Sequence, residues 1–142
     1  MADKPIPLDY GAEAAAGLYA APYNPEGKLN GLARLCHDLN LRWWTDPATG
    51  EKKERNVGEM FALMHSELSE ALEADRKHLM DRHLPHRTGV EVELADLLIR
   101  VFDFAGALGL DLDGAVAEKL AYNARRADHT DAARLAPGGK RY

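Results

Sequence analysis

The sequence predicts an all-α domain, and three observations carry that expectation. Apolar residues recur at helical spacing through its long stretches, those stretches are framed by capping residues, and no segment alternates with the period of a strand. A chain of 142 residues suits one domain with a real core.

Residues 1–23 are rich in Ala, Gly and Pro and carry Tyr10, Tyr19 and Tyr23. They read as an irregular arm that docks on the domain or on a partner subunit. The helical domain is expected over residues 24–127. Asn24 as N-cap with Pro25 at the first helical position opens the first helix. It runs to about Trp44, with Leu29, Leu32, Leu35 and Leu39 inward. Residues 45–55 form a polar loop. Asn56 with Glu59 resembles a capping box and opens the second helix, which continues to about Leu79. Its stripe is expected to combine Val57, Met60, Phe61, Met64, Leu68, Ala71 and Leu72. A turn with Pro85 follows. Thr88 with Glu91 is a second capping box and starts the third helix. That helix buries Val90, Leu94, Leu97, Leu98, Val101, Phe104, Ala105 and Leu108 and stops at Gly109. Asp111 or Asp113 caps a fourth helix that reaches about Ala127. Residues 128–142 read as a loose tail.

Two acidic motifs carry the chemistry: Glu67-x-x-Glu70 on the second helix and Glu93-x-x-Asp96 on the third. Spacing i, i+3 projects each pair from one helix face. Each pair sits at the edge of an apolar stripe, where a lone charge is costly to bury. On helical wheels the acids lie on the same rotational side of their stripes. Antiparallel packing of two consecutive helices then brings all four to one side of the pair. Height is the difficulty. The second helix would descend roughly 16 Å from its acids to Leu79, the third only about 8 Å from Thr88 to its own. The turn has to climb back. Four carboxylates so placed suit a hard cation, Mg2+ or Mn2+ in its place. The competing reading is a solvated acidic face. It explains Glu59 and Glu73, but fits Glu67 poorly, because Met60, Leu63, Ala71 and Ala74 surround it on the wheel.

On the fourth helix the expected core stripe is Leu112, Val116 and Leu120. Lys119 and Asn123 fall on the same face, and Arg126 lies one turn beyond. A buried ammonium needs an anionic partner, which substrate phosphates or the acids of the other helices would supply. Snorkelling of Lys119 past the core edge is the plainer alternative.

With these residues in place, the chain resembles the MazG-like, all-α nucleoside triphosphate pyrophosphohydrolases over residues 57 to about 126. The resemblance rests on Glu67-x-x-Glu70, on Glu93-x-x-Asp96 with twenty-two residues between Glu70 and Glu93, and on the segment GLDLDGAVAEKLAYNARR. It implies a four-helix bundle completed by oligomerisation into a homodimer or homotetramer. It also implies Mg2+ held by Glu67, Glu70, Glu93 and Asp96, and hydrolysis of a (deoxy)nucleoside triphosphate to monophosphate and pyrophosphate. Lys119 would neutralise phosphate, Asn123 and Arg126 would hold phosphate or sugar oxygens, and Glu70 is the candidate general base. Many members carry a further acid just before the first motif residue. Here that residue is Ser66, which leaves open the number of ions and the water-activating group.

Composition sets limits. A net charge of −5 argues against binding a nucleic-acid polymer, while a nucleotide with a metal ion remains compatible with an acidic pocket. The single Cys36 excludes an internal disulfide and a Cys-based zinc site, and reads as a core thiol. The opening residues lack the apolar run of a signal peptide and no stretch is apolar enough to span a bilayer, so a cytoplasmic location is expected. Trp43-Trp44 offers an indole to stack on a nucleobase, although core or interface packing competes with that role. His78, His83 and His86 around the turn read as solvent-facing. His37-Asp38 lacks the upstream histidine that an HD phosphohydrolase site needs. Val92, Ile99 and Phe102 make the third helix apolar nearly all round, which calls for a second subunit. A non-catalytic helical assembly or regulatory module is the alternative function.

Overall fold

The computed structural model describes residues 28–126 and 130–139. The chain divides into two compact units, Met1–Leu110 and Asp111–Tyr142. The first contains α1 (Lys28–Asn40), a 3-10 turn (Leu41–Trp43), α2 (Val57–Lys77) and α3 (Gly89–Leu108). The second contains α4 (Leu112–Asn123) and α5 (Asp131–Leu135). The only pairing of strand type among the described residues is two isolated antiparallel bridges, Thr45 with Lys52 and Met80 with Thr88. The all-α expectation holds. The arm 1–23 and the Asn24–Pro25 cap lie outside the described residues. Within the expected tail, α5 forms behind a Thr130 cap whose hydroxyl accepts from the Ala133 amide.

The helix starts follow the capping chemistry. Asn56 accepts from the amides of Gly58 and Glu59. Thr88 and Glu91 form the reciprocal capping box, which satisfies orphan donors at the start of α3. Asp111 accepts from the Gly114 amide and starts α4. Gly109 ends α3 in the left-handed region, at φ 63°. The end of α2 departs from expectation. His78, not a glycine, takes the left-handed C-cap conformation at φ 53° and ends the helix at Lys77, two residues before Leu79. His78, His83 and His86 are all exposed, as the sequence indicated.

Helix α3 is central to the first unit and packs on both α1 and α2. Its approach to α1 is tight at Gly106, where a Cβ would lie 2.2 Å from the Ala33 carbonyl oxygen. Only glycine allows the two backbones that close. The core is formed by Trp44, Met60, Met64 and Phe104, with Leu97, Val101 and Ala107 packed against it.

The inward faces are narrower than the apolar stripes. On α2 the buried row is Met60, Met64, Glu67, Ala71 and Ala74, while Val57, Phe61, Leu68 and Leu72 are exposed. On α3, Phe104 and Ala105 are buried, whereas Leu94, Leu98 and Leu108 are exposed. On α1, Ala33 is the buried residue and Leu39 is exposed. On α4, Val116 and Leu120 are exposed. The physical reason is common to these cases. Each helix face is covered only where a neighbouring helix lies against it, and the rest of its apolar stripe is left uncovered. No helix among the described residues is long and apolar enough to cross a membrane.

Candidate metal centre and its cleft

The turn between α2 and α3 solves the problem of height. The Leu79 amide donates to Ala74 O, the Gly89 amide donates back to Leu79 O, and Asp81 accepts from the amides of His83 and Leu84. The chain is thereby folded back so that Gly89 starts α3 beside Ala74 of α2. A Cβ at Gly89 would stand 2.8 Å from the Ala74 Cβ. Seven residues lead from this contact back to Glu67, and seven lead forward to Asp96. At 1.5 Å per residue each climbs about 10.5 Å, so Glu67 and Asp96 are level. By the same reasoning Glu70 and Glu93, four residues from the contact, are level about 6 Å up.

Carboxylate oxygens of Glu67, Glu93 and Asp96 lie within 4.8 Å of one another. Glu67 is buried, and Glu93 and Asp96 are half-buried. Glu70 is exposed and stands outside this group of three, yet close enough for its charge to act on Glu93. The electrostatics record the crowding. Burial, the charge of Glu70 and hydrogen bonding with Glu67 push the Glu93 carboxyl up to about 6. Burial and the charge of Glu67 raise Asp96, an effect that Arg100 partly offsets. Ser66, where the resemblance leads one to look for a further acid, turns its hydroxyl back to donate to Leu63 O at 2.8 Å.

Two features of the site gave no warning in the motif pattern. Arg100 Nε donates to Glu67 Oε1 at 2.5 Å, so a cation of the chain itself already sits on the acid cluster. Farther along α3, buried Asp103 accepts at Oδ1 from Trp44 Nε1 at 2.8 Å, and His37 Nδ1 lies 3.0 Å from the same oxygen. The His37 and Trp44 rings meet edge to face, with centroids 5.4 Å apart. The charge of Asp103 and, to a larger extent, burial raise the Cys36 thiol, which is only half-buried. A signal for Asp103 was available: a lone acid inside the apolar run VFDFA is costly unless partnered.

Asp96, Arg100 and Asp103 follow one another along α3 and line a cleft of about 480 Å³ whose lining also includes Asn40, Trp43 and Arg55. The two adjacent indoles divide their tasks. Trp44 enters the core, while Trp43 is 56% exposed beside the cleft with the Arg42 guanidinium 4.9 Å from its ring centroid. Arg55 donates to Trp43 O at 2.9 Å and holds this corner.

Lys119, Asn123 and Arg126 belong to the second unit. There Lys119 Nζ lies 4.8 Å from the centroid of the Tyr122 ring and the Arg126 guanidinium lies 5.9 Å from it, while Asn123 is half-buried.

Comparison with protein-family models, with curated proteins and with solved structures finds no match for this chain.

Proposed function

We propose that the protein is a divalent-cation-dependent nucleotide pyrophosphohydrolase, converting a (deoxy)nucleoside triphosphate to monophosphate and pyrophosphate. The observation that carries this reading is the meeting of Glu67, Glu93 and Asp96 oxygens, from two antiparallel helices, beside a cleft of nucleotide size. The donor set fits a hard cation: all ligands are carboxylate oxygens, and the arginine on Glu67 shows a local demand for positive charge. Mg2+, or Mn2+ in its place, would supply Lewis acidity toward phosphate oxygens and activation of a water nucleophile.

The chain's own residues take the remaining tasks. Glu67, Glu93 and Asp96 hold the cation, with Glu70 free at the rim to join them or to accept the proton of the attacking water on its carboxylate. Trp43 offers an exposed ring to the base. The resemblance assigns phosphate and sugar oxygens to Lys119, Asn123 and Arg126, which belong to the second unit. The exposed apolar rows of α2, α3 and α4 support assembly into a homodimer or homotetramer. Those rows also favour the second reading, a non-catalytic assembly module that keeps the acids only as a charge-balanced cluster. The chemistry proposed belongs to the MazG-like class that the acidic motifs resemble.

The test is a panel of canonical and modified nucleotides with Mg2+, with products separated by chromatography. At least one nucleotide is expected to give monophosphate and pyrophosphate. Glu67→Gln should lower that turnover by ~100-fold or more, because the cation is asked for several kcal/mol of transition-state stabilisation. Glu73→Gln, which removes an exposed partner of Lys77, should act like wild type. Release of orthophosphate and diphosphate would exclude the proposed cleavage, and no turnover together with no calorimetric Mg2+ binding would favour the assembly module.

A further inference from the structure

Arg100 stands one helical turn beyond Asp96 on α3, and the Arg100 side chain has a foot in both parts of the site. Its Nε is committed to Glu67 Oε1, while the residue also lines the cleft beside Asp96 and Asp103. The guanidinium side chain is 39% exposed, whereas its Glu67 partner is only 6% exposed. No other hydrogen bond of Arg100 is formed among the described residues, so its terminal N–H groups remain available on the cleft side. The pair is therefore lopsided. The acid is fixed in the interior, and the base is a long side chain that needs only rotamer changes to leave it.

Glu67 also supplies one of the three oxygens that lie within 4.8 Å of one another. A divalent ion on the Glu67 carboxylate would repel the guanidinium that holds the same carboxylate and draw off the charge that binds it. Without an ion, the buried Glu67 carboxylate would face Glu93 and Asp96 with no compensation, a costly arrangement that Arg100 relieves.

We propose that Arg100 is an internal counter-cation of this site: it holds Glu67 in the ion-free protein, and it yields Glu67 when a divalent cation binds, turning its planar fork to the phosphates of a nucleotide in the cleft. The inference rests on the metal-centre reading above and adds to it a coupling between ion and nucleotide. An arginine suits the task because its fork matches two phosphate oxygens at once, which the point charge of a lysine does not. Because the same side chain answers to both ligands, each should strengthen the binding of the other by the same factor.

The experiment uses the full chain, MnCl2 and an equimolar mixture of the four α,β-imido deoxynucleoside triphosphates, which resist the proposed cleavage. Melting temperature and calorimetric affinity are read for wild type, Arg100→Gln and Arg100→Lys. Without ion, Arg100→Gln should melt below wild type. With MnCl2 its melting temperature should rise by more than that of wild type, because no counter-cation has to be displaced. In wild type MnCl2 should strengthen binding of the analogue mixture by about tenfold, within the usual range of such coupling. Arg100→Gln should lose most of that gain, and Arg100→Lys should keep the ion-free stability while losing part of the gain. If Arg100→Gln fails to fold even with MnCl2, the Arg100→Lys arm decides: unchanged coupling there overturns the proposal. A wild type that responds to MnCl2 beside an Arg100→Gln protein with the same ion response and the same coupling overturns the role of Arg100 alone. A wild type blind to MnCl2 overturns the metal centre and this inference together.

Discussion

Gly89 lies so close to Ala74 that a Cβ at position 89 would stand 2.8 Å from the Ala74 Cβ and 3.3 Å from the Leu79 carbonyl oxygen. This contact sets the register of α2 against α3, and with it the level of all four acids. Gly89→Ala must push the start of α3 away. It should cost about 1–3 kcal/mol, the usual range for overpacking, and weaken the rise in melting temperature on adding Mn2+. Gly31→Ala is the control, since nothing lies within 4 Å of where a Cβ at this position of α1 would stand. It should be neutral or stabilising by up to about 1 kcal/mol. Urea unfolding of both variants, with and without MnCl2, reads the difference. Equal effects at the two glycines would mean that the Ala74 contact does not set the register.

A single oxygen, Oδ1 of Asp103, serves Trp44 of the 3-10 turn's C-cap and His37 of α1. The bond to His37 requires the proton on Nδ1. Asp103→Asn keeps the shape but weakens both bonds, and should cost about 1–3 kcal/mol in urea unfolding. The near-ultraviolet dichroism of Trp44 should change with it. A loss below about 0.5 kcal/mol, the range of ordinary surface changes, would show that the buried carboxylate does not hold the α1 corner.

The ion-free protein should become more stable on mild acidification. Glu93 is held at about 6 against an ordinary value of 4.5, and Asp96 is also raised. A carboxyl whose folded value is raised binds its proton more tightly when folded. Its penalty is therefore absent below the unfolded value, grows between about 4.5 and 6, and is full above that. The melting temperature should thus climb as pH falls from 7 to about 5. Asp46, Asp81 and Glu91, which are lowered by hydrogen bonds to turn and cap amides, stay ionised in this window and do not oppose the trend. Glu93→Gln should melt higher than wild type at pH 7 and flatten the profile. A wild-type profile that falls from pH 7 to 5, or an unchanged profile in Glu93→Gln, would count against the crowding of these acids.

Leu68 and Leu72 on α2 and Leu94 and Leu98 on α3 are 43–58% exposed, and exposed apolar surface of this kind can mark an interaction site. A dimer or larger oligomer is expected at micromolar concentration. Light scattering should return a multiple of 15.6 kDa, and Leu72→Glu or Leu98→Glu should shift it toward the monomer. A mass of 15.6 kDa for wild type at all concentrations would refute the assembly.

Much of the local structure was legible in the residues themselves. Asn56, Thr88 with Glu91, Asp111 and Gly109 fix helix ends through bonds to atoms a few residues away, so their effect is written in short spacings. The helical repeat likewise puts the members of Glu93-x-x-Asp96 near one another, but spacing alone did not show that Glu67 is buried in the group of three while Glu70 stays exposed outside it. The end of α2 was misjudged because His78 adopts a left-handed conformation that the sequence marks only weakly.

The partners of the buried charges were decided by tertiary structure alone. Glu67 and Arg100 are 33 residues apart, Trp44 and Asp103 are 59 apart, and His37 and Asp103 are 66 apart. Periodicity reports which face a residue occupies, but not which residue of another helix arrives at the same height. That was set by the Ala74–Gly89 contact and by the close approach of Ala33 and Gly106, two places where small residues let backbones meet. The stripes proved wider than the buried rows for a related reason: amphipathic patterning marks an apolar face but not how much of it a neighbouring helix covers.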